Sequence, residues 1–368
     1  MRVGINGFGR IGRLVLRSML ERGHDLDIVA INGRGNPEMS AHLFQFDTTY
    51  GPYQGHVEAH DDVIRIDGRK ITVTACDDPA EIPWGDLGVD LVIESTGAFT
   101  SADKARAHLE AGAKRVLISA PGKGADATIC VGVNEHDYDL ETDFIISCAS
   151  CTTNALAPMA KVVHKTFGIE RGMMTTIHSF TNDQNILDGT HRDPRRARAG
   201  GHNIVPTTTG ATKALALVLP ELKGRLGGIA YRVPTITVSV VDLVVELERR
   251  ASAEEINAAF DNAASGDLSA VLGFTMLPLV SSDYRKESRS CVIDGLSTDV
   301  LDSGLVRIVG WYDNEWGYAC RVVDLARYIV ACDDAGACPV QVPIIERESG
   351  VPGLSVERDG RGSAPVRV

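Results

Sequence analysis

The sequence predicts an α/β protein in two folded parts. A doubly wound, mostly parallel sheet should occupy residues 1–150, and an α+β part with a mostly antiparallel sheet should occupy 151–315. Three observations carry this. A glycine run, Gly7-Phe8-Gly9-Arg10-Ile11-Gly12, stands between a short apolar strand and a helical pattern. Strands and helical stretches then alternate to about residue 150. Beyond that point long runs rich in Val, Ile and Thr are separated by polar loops.

Arg2–Asn6 reads as the first strand. Ile11, Leu14, Val15 and Met19 then repeat at helical spacing up to a stop at Gly23. Residues 28–31 give a second apolar strand. Further strands are expected over 63–66, 70–75, 91–94, 115–119 and 144–147, with a helix over 101–111. Leu156, Met159, Ala160 and Val163 mark a helix over 152–167. Residues 173–179 and 231–248 are β-prone runs, and 182–201 is a polar loop. Ser252 with Glu255 forms a capping-box signal for a helix starting near 254. Ala319, Val322, Val323, Ala326, Ile329 and Val330 make a helical stripe, so a helix over 316–332 is expected to complete the first part. From 333 periodicity fades and Gly and Pro become frequent, which predicts a peripheral or flexible extension over 333–368.

Composition narrows the function classes. The 368 residues are 44% hydrophobic and 23% charged, with a net charge of −12. An acidic chain of this kind argues against nucleic-acid binding. No apolar run reaches the length of a membrane span. Eight cysteines in 368 residues imply no disulfide framework, and no metal site is expected. With no signal-peptide pattern before the first strand, a cytoplasmic location is expected.

The glycine run follows a strand and opens a helix, the setting of a Rossmann-type dinucleotide site. Gly7 allows the tight turn, Gly9 lets backbone approach a pyrophosphate, and Gly12 lets helix pack on strand. In NAD sites the second strand ends on a carboxylate that binds the ribose hydroxyls. Here it ends Asn32-Gly33-Arg34. A carboxylate repels a 2′-phosphate and a guanidinium pairs with it. The residues therefore favour NADP, or dual use, over NAD alone.

Cys151 opens the helix over 152–167. A thiol there faces unpaired N–H groups and the positive end of the dipole, which favours its thiolate. His178 could pair with it and move protons. The bland alternative is a buried structural cysteine.

Taken together, the glycine run, Ala149-Ser150-Cys151-Thr152-Thr153-Asn154 and His178-Ser179-Phe180-Thr181-Asn182-Asp183-Gln184 resemble the phosphorylating glyceraldehyde-3-phosphate dehydrogenases. The blocks at 206–211, 231–235 and 311–318 extend the resemblance from residue 1 to about 332. It implies Cys151 as nucleophile and His178 as base, acting on glyceraldehyde 3-phosphate through a thiohemiacetal and a thioester that inorganic phosphate cleaves. Thr181 and Arg232 are implied as ligands of the substrate phosphate, with Asp183 orienting groups nearby. Ser150, Arg196, Thr209 and Gly210 are implied for inorganic phosphate, and Thr152 for the same anion-binding region. Asn6, Gly7, Phe8, Gly9, Arg10, Ile11, Gly12, Asn32, Gly33, Arg34, Thr96, Gly97, Phe99, Ser119, Asn314 and Tyr318 are implied for the cofactor, with Asn314 on the nicotinamide carboxamide. A homotetramer is implied too, in which Thr190 of the 182–201 loop reaches a neighbouring subunit's cofactor.

Some residues depart from that pattern. Gly33 replaces the usual Asp, and Gly189-Thr190 replaces a frequent Leu-Pro; both favour NADP. Asp77 stands where an arginine is common and would oppose a phosphate. Cys148 creates a C-x-x-C with Cys151, and a Cys148 side chain turned away along the strand is the simpler reading. Cys332 and Cys338 flank the start of the extension. Two other functions remain open from sequence: an erythrose-4-phosphate dehydrogenase, and a non-catalytic cofactor-sensing protein on the same fold.

Overall fold

The structure is a computed structural model, and it describes residues 1–24, 26–339 and 342. Its first sheet contains β1 (Arg2–Asn6), β2 (Asp27–Asn32), β3 (Val57–His60), β4 (Val63–Ile66), β5 (Arg69–Thr74), β6 (Leu91–Glu94), β7 (Arg115–Ile118), β8 (Ala127–Thr128) and β9 (Ile145–Ser147). Helices α1 (Arg10–Glu21), α2 (Pro37–Gln45) and α3 (Ala102–Glu110) connect them. The strand order is β3-β4-β5-β2-β1-β6-β7-β9-β8. Pairing is parallel from β5 to β8, and only the β3-β4-β5 edge is antiparallel. Strands covered on both faces must be apolar throughout, and β6 and β7 are buried at every position.

The second sheet contains β10 (Ile169–Ser179), β11 (Val205–Thr207), β12 (Leu226–Val233), β13 (Ser239–Leu247), β14 (Leu272–Thr275), β15 (Cys291–Asp294), β16 (Asp299–Val300) and β17 (Leu305–Tyr312). Its order is β11-β12-β10-β13-β17-β15-β14, with β16 paired to β17. Only β10–β12 and β14–β15 run parallel. Helices α4 (Cys151–Phe167), α5 (Ala211–Val218) and α6 (Ala253–Ser265) accompany it. Along β13 buried and half-buried residues alternate, as expected of a sheet with one covered face.

Several details differ from the sequence reading. The β-prone run 231–248 is two strands, because the segment from Pro234 to Val238 breaks it between β12 and β13. Helices α2 and α5 are short and carry weak apolar patterns. The capping box of α6 is present, with Ser252 Oγ accepting from Glu255 N and Glu255 Oε2 accepting from Ser252 N.

Helix α7 (Trp316–Ala335) returns to the first sheet's side and packs on α1, where Arg22 pairs with the fully buried Asp324 at 3.2 Å. It ends at Gly336, whose φ of 65° suits a left-handed cap. Cys332 and Cys338 are joined by a disulfide across this turn. The expectation of a peripheral or flexible extension falls almost wholly outside the described residues. Among the described residues no helix is long and apolar enough to cross a membrane, and no cluster could hold a metal ion.

Candidate active site

Strand order reverses between β1 and β6, so a crevice opens at their carboxyl ends, the usual ligand position in such sheets. The glycines there answer to geometry. Gly7 has φ 94°, and a Cβ on it would lie 2.5 Å from Thr96 N. A Cβ on Gly12 would lie 2.1 Å from Gly7 O, so α1 can approach β1 only without a side chain. Around Gly9 nothing lies within 4 Å of an added Cβ, leaving its backbone accessible beside the α1 N-terminus. These features fit a dinucleotide pyrophosphate.

Beneath the crevice lies a buried polar network that the sequence reading missed. Trp84 Nε1 donates to His108 Nδ1 at 3.0 Å, which leaves the other ring nitrogen as the proton carrier toward Glu94 Oε2, also 3.0 Å away. Indole N–H can only donate, so the tautomer is set. Asn6 Nδ2 donates to Glu94 at 2.6 Å, and Asn32 Nδ2 donates to Asn6 Oδ1 at 2.8 Å. The C-terminal ends of β1, β2 and β6 are thereby tied together. No short motif signals this, since the partners are up to 102 residues apart.

The remaining cofactor candidates are distributed around the crevice. Thr96 and Gly97 are exposed on the loop after β6, and Ser119 Oγ donates to Glu94 O at 3.0 Å. Phe99 meets the His108 ring edge-on, Phe8 stacks on Phe44, and Ile11 is half-buried. The Arg10 side chain is clamped by Glu315 and Asp47, which hold its guanidinium firmly charged, while its backbone opens α1 beside Gly9. Tyr318 stands in the first turn of α7. Its ring is buried and its hydroxyl donates to Ala149 O at 2.9 Å, steadying the turn before Cys151. Arg34 and Asp77 pair at 3.2 Å with side chains 93% and 83% exposed. Asp77 therefore does face the arginine that would meet a 2′-phosphate.

Cys151 is the first residue of α4. Ala149 before it has φ 53°, a left-handed conformation rare outside glycine, and Ser150 caps the helix by accepting from Thr153 N. Cys151 Sγ lies 3.4 Å from His178 Nε2 near the end of β10. His178 Nδ1 lies 2.7 Å from Ser179 O, and Arg232 Nη1 lies 2.5 Å from the same nitrogen and 3.0 Å from the same carbonyl. A proton on Nδ1 directed at Ser179 O leaves the Nε2 lone pair facing the sulfur, whereas Arg232 donating to Nδ1 puts the ring proton on Nε2. Burial and the Arg232 charge push His178 down to about 3, so the imidazole is neutral. Burial pushes the Cys151 thiol up, with Arg232 and the N–H groups of Cys151 and Thr152 opposing it. Burial thus opposes the thiolate that Arg232 and the donors at the helix start favour. Cys148 is fully buried, and burial pushes it up to about 12, which fits a structural cysteine.

The residues implied as anion ligands lie on β12, just past β10, on the 182–201 loop and just before α5. Arg232 extends from β12 beside His178, and Thr181 is half-buried just past β10. Arg196 reaches from the 182–201 loop, its Nε donating to Thr207 Oγ1 at 2.8 Å while it pairs with Asp183. Thr209 accepts from Ala211 N, and Gly210 precedes α5. Thr152 Oγ1 instead bonds Tyr312 OH at 2.9 Å, inside the core below Cys151. Thr190 is exposed on its loop, as are Ile186 and Leu187. Asn314, after β17, is buried, and its Oδ1 accepts from Ser179 Oγ and Ser239 Oγ.

Comparison with known proteins matches the sequence to one family. The model for the NAD binding domain of glyceraldehyde 3-phosphate dehydrogenase matches residues 1–102, and the model for its C-terminal domain matches 150–314. The glyceraldehyde-3-phosphate dehydrogenase of Geobacillus stearothermophilus is 54% identical over 331 residues, covering 90% of this chain and 98% of the relative. That of Streptomyces coelicolor is 54% identical over 330 residues, covering 89% and 98%. Glyceraldehyde-3-phosphate dehydrogenase 2 of Bacillus subtilis is 52% identical over 332 residues, covering 90% and 97%.

Proposed function

The chain belongs to the glyceraldehyde-3-phosphate dehydrogenase family, and we propose that Cys151 and His178 perform its covalent chemistry. It is an NAD(P)-dependent oxidoreductase that oxidises glyceraldehyde 3-phosphate with phosphorylation. The observation that carries the residue assignment is the 3.4 Å approach of Cys151 Sγ to a neutral His178 Nε2, beside Arg232.

The sulfur attacks the aldehyde carbon as its proton passes through His178 to the carbonyl oxygen, forming a thiohemiacetal. His178 then takes that hydroxyl proton back while the C–H electron pair departs as hydride. When bound, the nicotinamide ring accepts the hydride. The carbon is left as a thioester on Cys151, and inorganic phosphate attacks it, expelling the sulfur and releasing the acyl phosphate. The Cys151 N–H at the helix start is available to stabilise the oxyanion in each addition. Arg232 and Thr181 hold the substrate phosphate; Arg196, Ser150, Thr209 and Gly210 hold the incoming phosphate.

Residues 1–150 with the helix 316–332 take the cofactor, and 151–315 supply the chemistry. The cofactor is NADP or both dinucleotides, because Gly33 removes a carboxylate and Arg34 supplies a fork, with Asp77 offsetting part of the gain. The protein assembles as a cytoplasmic homotetramer, in which the loop bearing the exposed Ile186, Leu187 and Thr190 crosses to a neighbour. The test is initial rates with glyceraldehyde 3-phosphate or erythrose 4-phosphate, with NAD or NADP, plus and minus phosphate. Phosphate-dependent turnover of glyceraldehyde 3-phosphate, strongest with NADP or equal with both, is expected. Preference for erythrose 4-phosphate, or turnover indifferent to phosphate, would overturn the reading.

A further inference from the structure

Three strand ends meet beside His178 and close a small polar knot. Ser179, the last residue of β10, donates from Oγ to Asn314 Oδ1 at 2.8 Å. Ser239, the first residue of β13, donates from Oγ to the same oxygen at 2.9 Å. The Ser179 N–H in turn donates to Ser239 Oγ at 3.1 Å. All three residues are buried, at 0%, 1% and 5% exposure for Ser179, Ser239 and Asn314.

The hydrogen count fixes the amide. Each hydroxyl has one hydrogen to give, and the Asn314 oxygen takes both. With the amide turned over, its nitrogen would face the two hydroxyls, and their hydrogens would lose this acceptor in a buried place, an unfavourable arrangement. The oxygen therefore points into the knot and Nδ2 points out of it. Among the described residues Nδ2 has no hydrogen-bond partner. Backbone strain stands at the same place. Val238, β-branched and buried, holds φ 68° immediately before Ser239. Such strain persists only where surrounding structure over-determines it, and it concentrates at ligand sites.

We propose that Ser179 and Ser239 are positioning residues that lock Asn314 as an N–H donor toward the carboxamide oxygen of the nicotinamide. The lock rests on the reading of Asn314 as the carboxamide's partner. It makes one rotamer of that carboxamide, and so one seating of the ring, preferred over the flipped one.

Equilibrium binding to the intact protein, read by calorimetry, tests this without turnover. The probes are NAD and the analogue whose pyridinium ring carries no carboxamide. Ser179→Ala is the cleaner variant, since Ser239→Ala also strips an acceptor from the Ser179 N–H. Ser179→Ala should weaken NAD about three- to tenfold, the range for one hydrogen bond, and leave the analogue unchanged. In an Asn314→Ala background Ser179→Ala should have no further effect on NAD. Unchanged NAD affinity in Ser179→Ala, with Asn314→Ala weakened, would overturn the lock and spare the reading of Asn314. Unchanged NAD affinity in Asn314→Ala would overturn that reading itself. Equal loss of NAD and analogue in Ser179→Ala would show a merely structural role and also overturn the lock.

Discussion

Replacing Gly33 with Asp should turn the cofactor preference toward NAD. The site can take the change: an added Cβ would meet Phe8 Cβ at 3.5 Å and Phe8 N at 3.7 Å, ordinary contacts. Arg34, which would grip a 2′-phosphate, is 93% exposed and shares only Nε with Asp77 at 3.2 Å. An exposed pair of this kind contributes at most about 1 kcal/mol, so Arg34 can still turn to a phosphate. The new carboxylate would accept from ribose hydroxyls, an interaction of about 1.5–3 kcal/mol, and would repel the 2′-phosphate. Since about 1.4 kcal/mol is tenfold, the ratio of kcat/KM for NAD over NADP should rise by at least about tenfold. Rates with each cofactor at saturating aldehyde and phosphate give the ratio, and a thermal melt confirms the fold. An unchanged ratio in a normally folded variant would refute the argument and make the C-terminal end of β2 irrelevant to selectivity.

Other outcomes follow from the same geometry. His178→Asn should slow hydride transfer by roughly 10²–10⁴, measured in single turnover. His178 is depressed from about 6.5 in the unfolded chain to about 3 in the fold. It therefore contributes stability fully present above about pH 6.5 and lost as pH falls toward 3; melts from pH 7 to 4 should show a steeper acid decline in wild type than in His178→Asn. Arg232→Ala should lower kcat/KM for glyceraldehyde 3-phosphate by about tenfold more than for unphosphorylated glyceraldehyde, since the phosphate contact is lost only with the former while the change beside His178 acts on both. Gly12→Ala places a Cβ 2.1 Å from Gly7 O, so both the melting temperature and dinucleotide affinity should fall, the latter seen by calorimetry.

Much of the site was legible because its signals are local. Gly7, Gly9 and Gly12 sit within six residues; Gly7 and Gly12 answer to close contacts in the fold, and Gly9 to open space beside the helix start. Cys151 announces itself through the helix it opens. The partners of such groups are less legible. Nothing in the sequence shows that the Trp84 indole fixes the tautomer of His108, or that Tyr318 holds Ala149, because those contacts span 24 and 169 residues. The clamp on the Arg10 side chain comes from Glu315, 305 residues away. The balance of charge at Cys151 is hard to read for a related reason. Helix position is visible in sequence, whereas desolvation depends on everything packed around the sulfur. Short elements such as α2 and α5, and strand β17, draw their stability from tertiary packing rather than from periodicity.

The most direct test of the account is to withhold phosphate. With glyceraldehyde 3-phosphate and cofactor but no inorganic phosphate, reduced cofactor should appear in a burst limited by the number of Cys151 sites. Peptide mass spectrometry of the quenched protein should then find the acyl group on Cys151, and added phosphate should discharge it as acyl phosphate. A Cys151→Ser variant should show neither burst nor adduct. Undiminished oxidation by that variant, or a burst with Cys151 unmodified, would contradict the covalent mechanism.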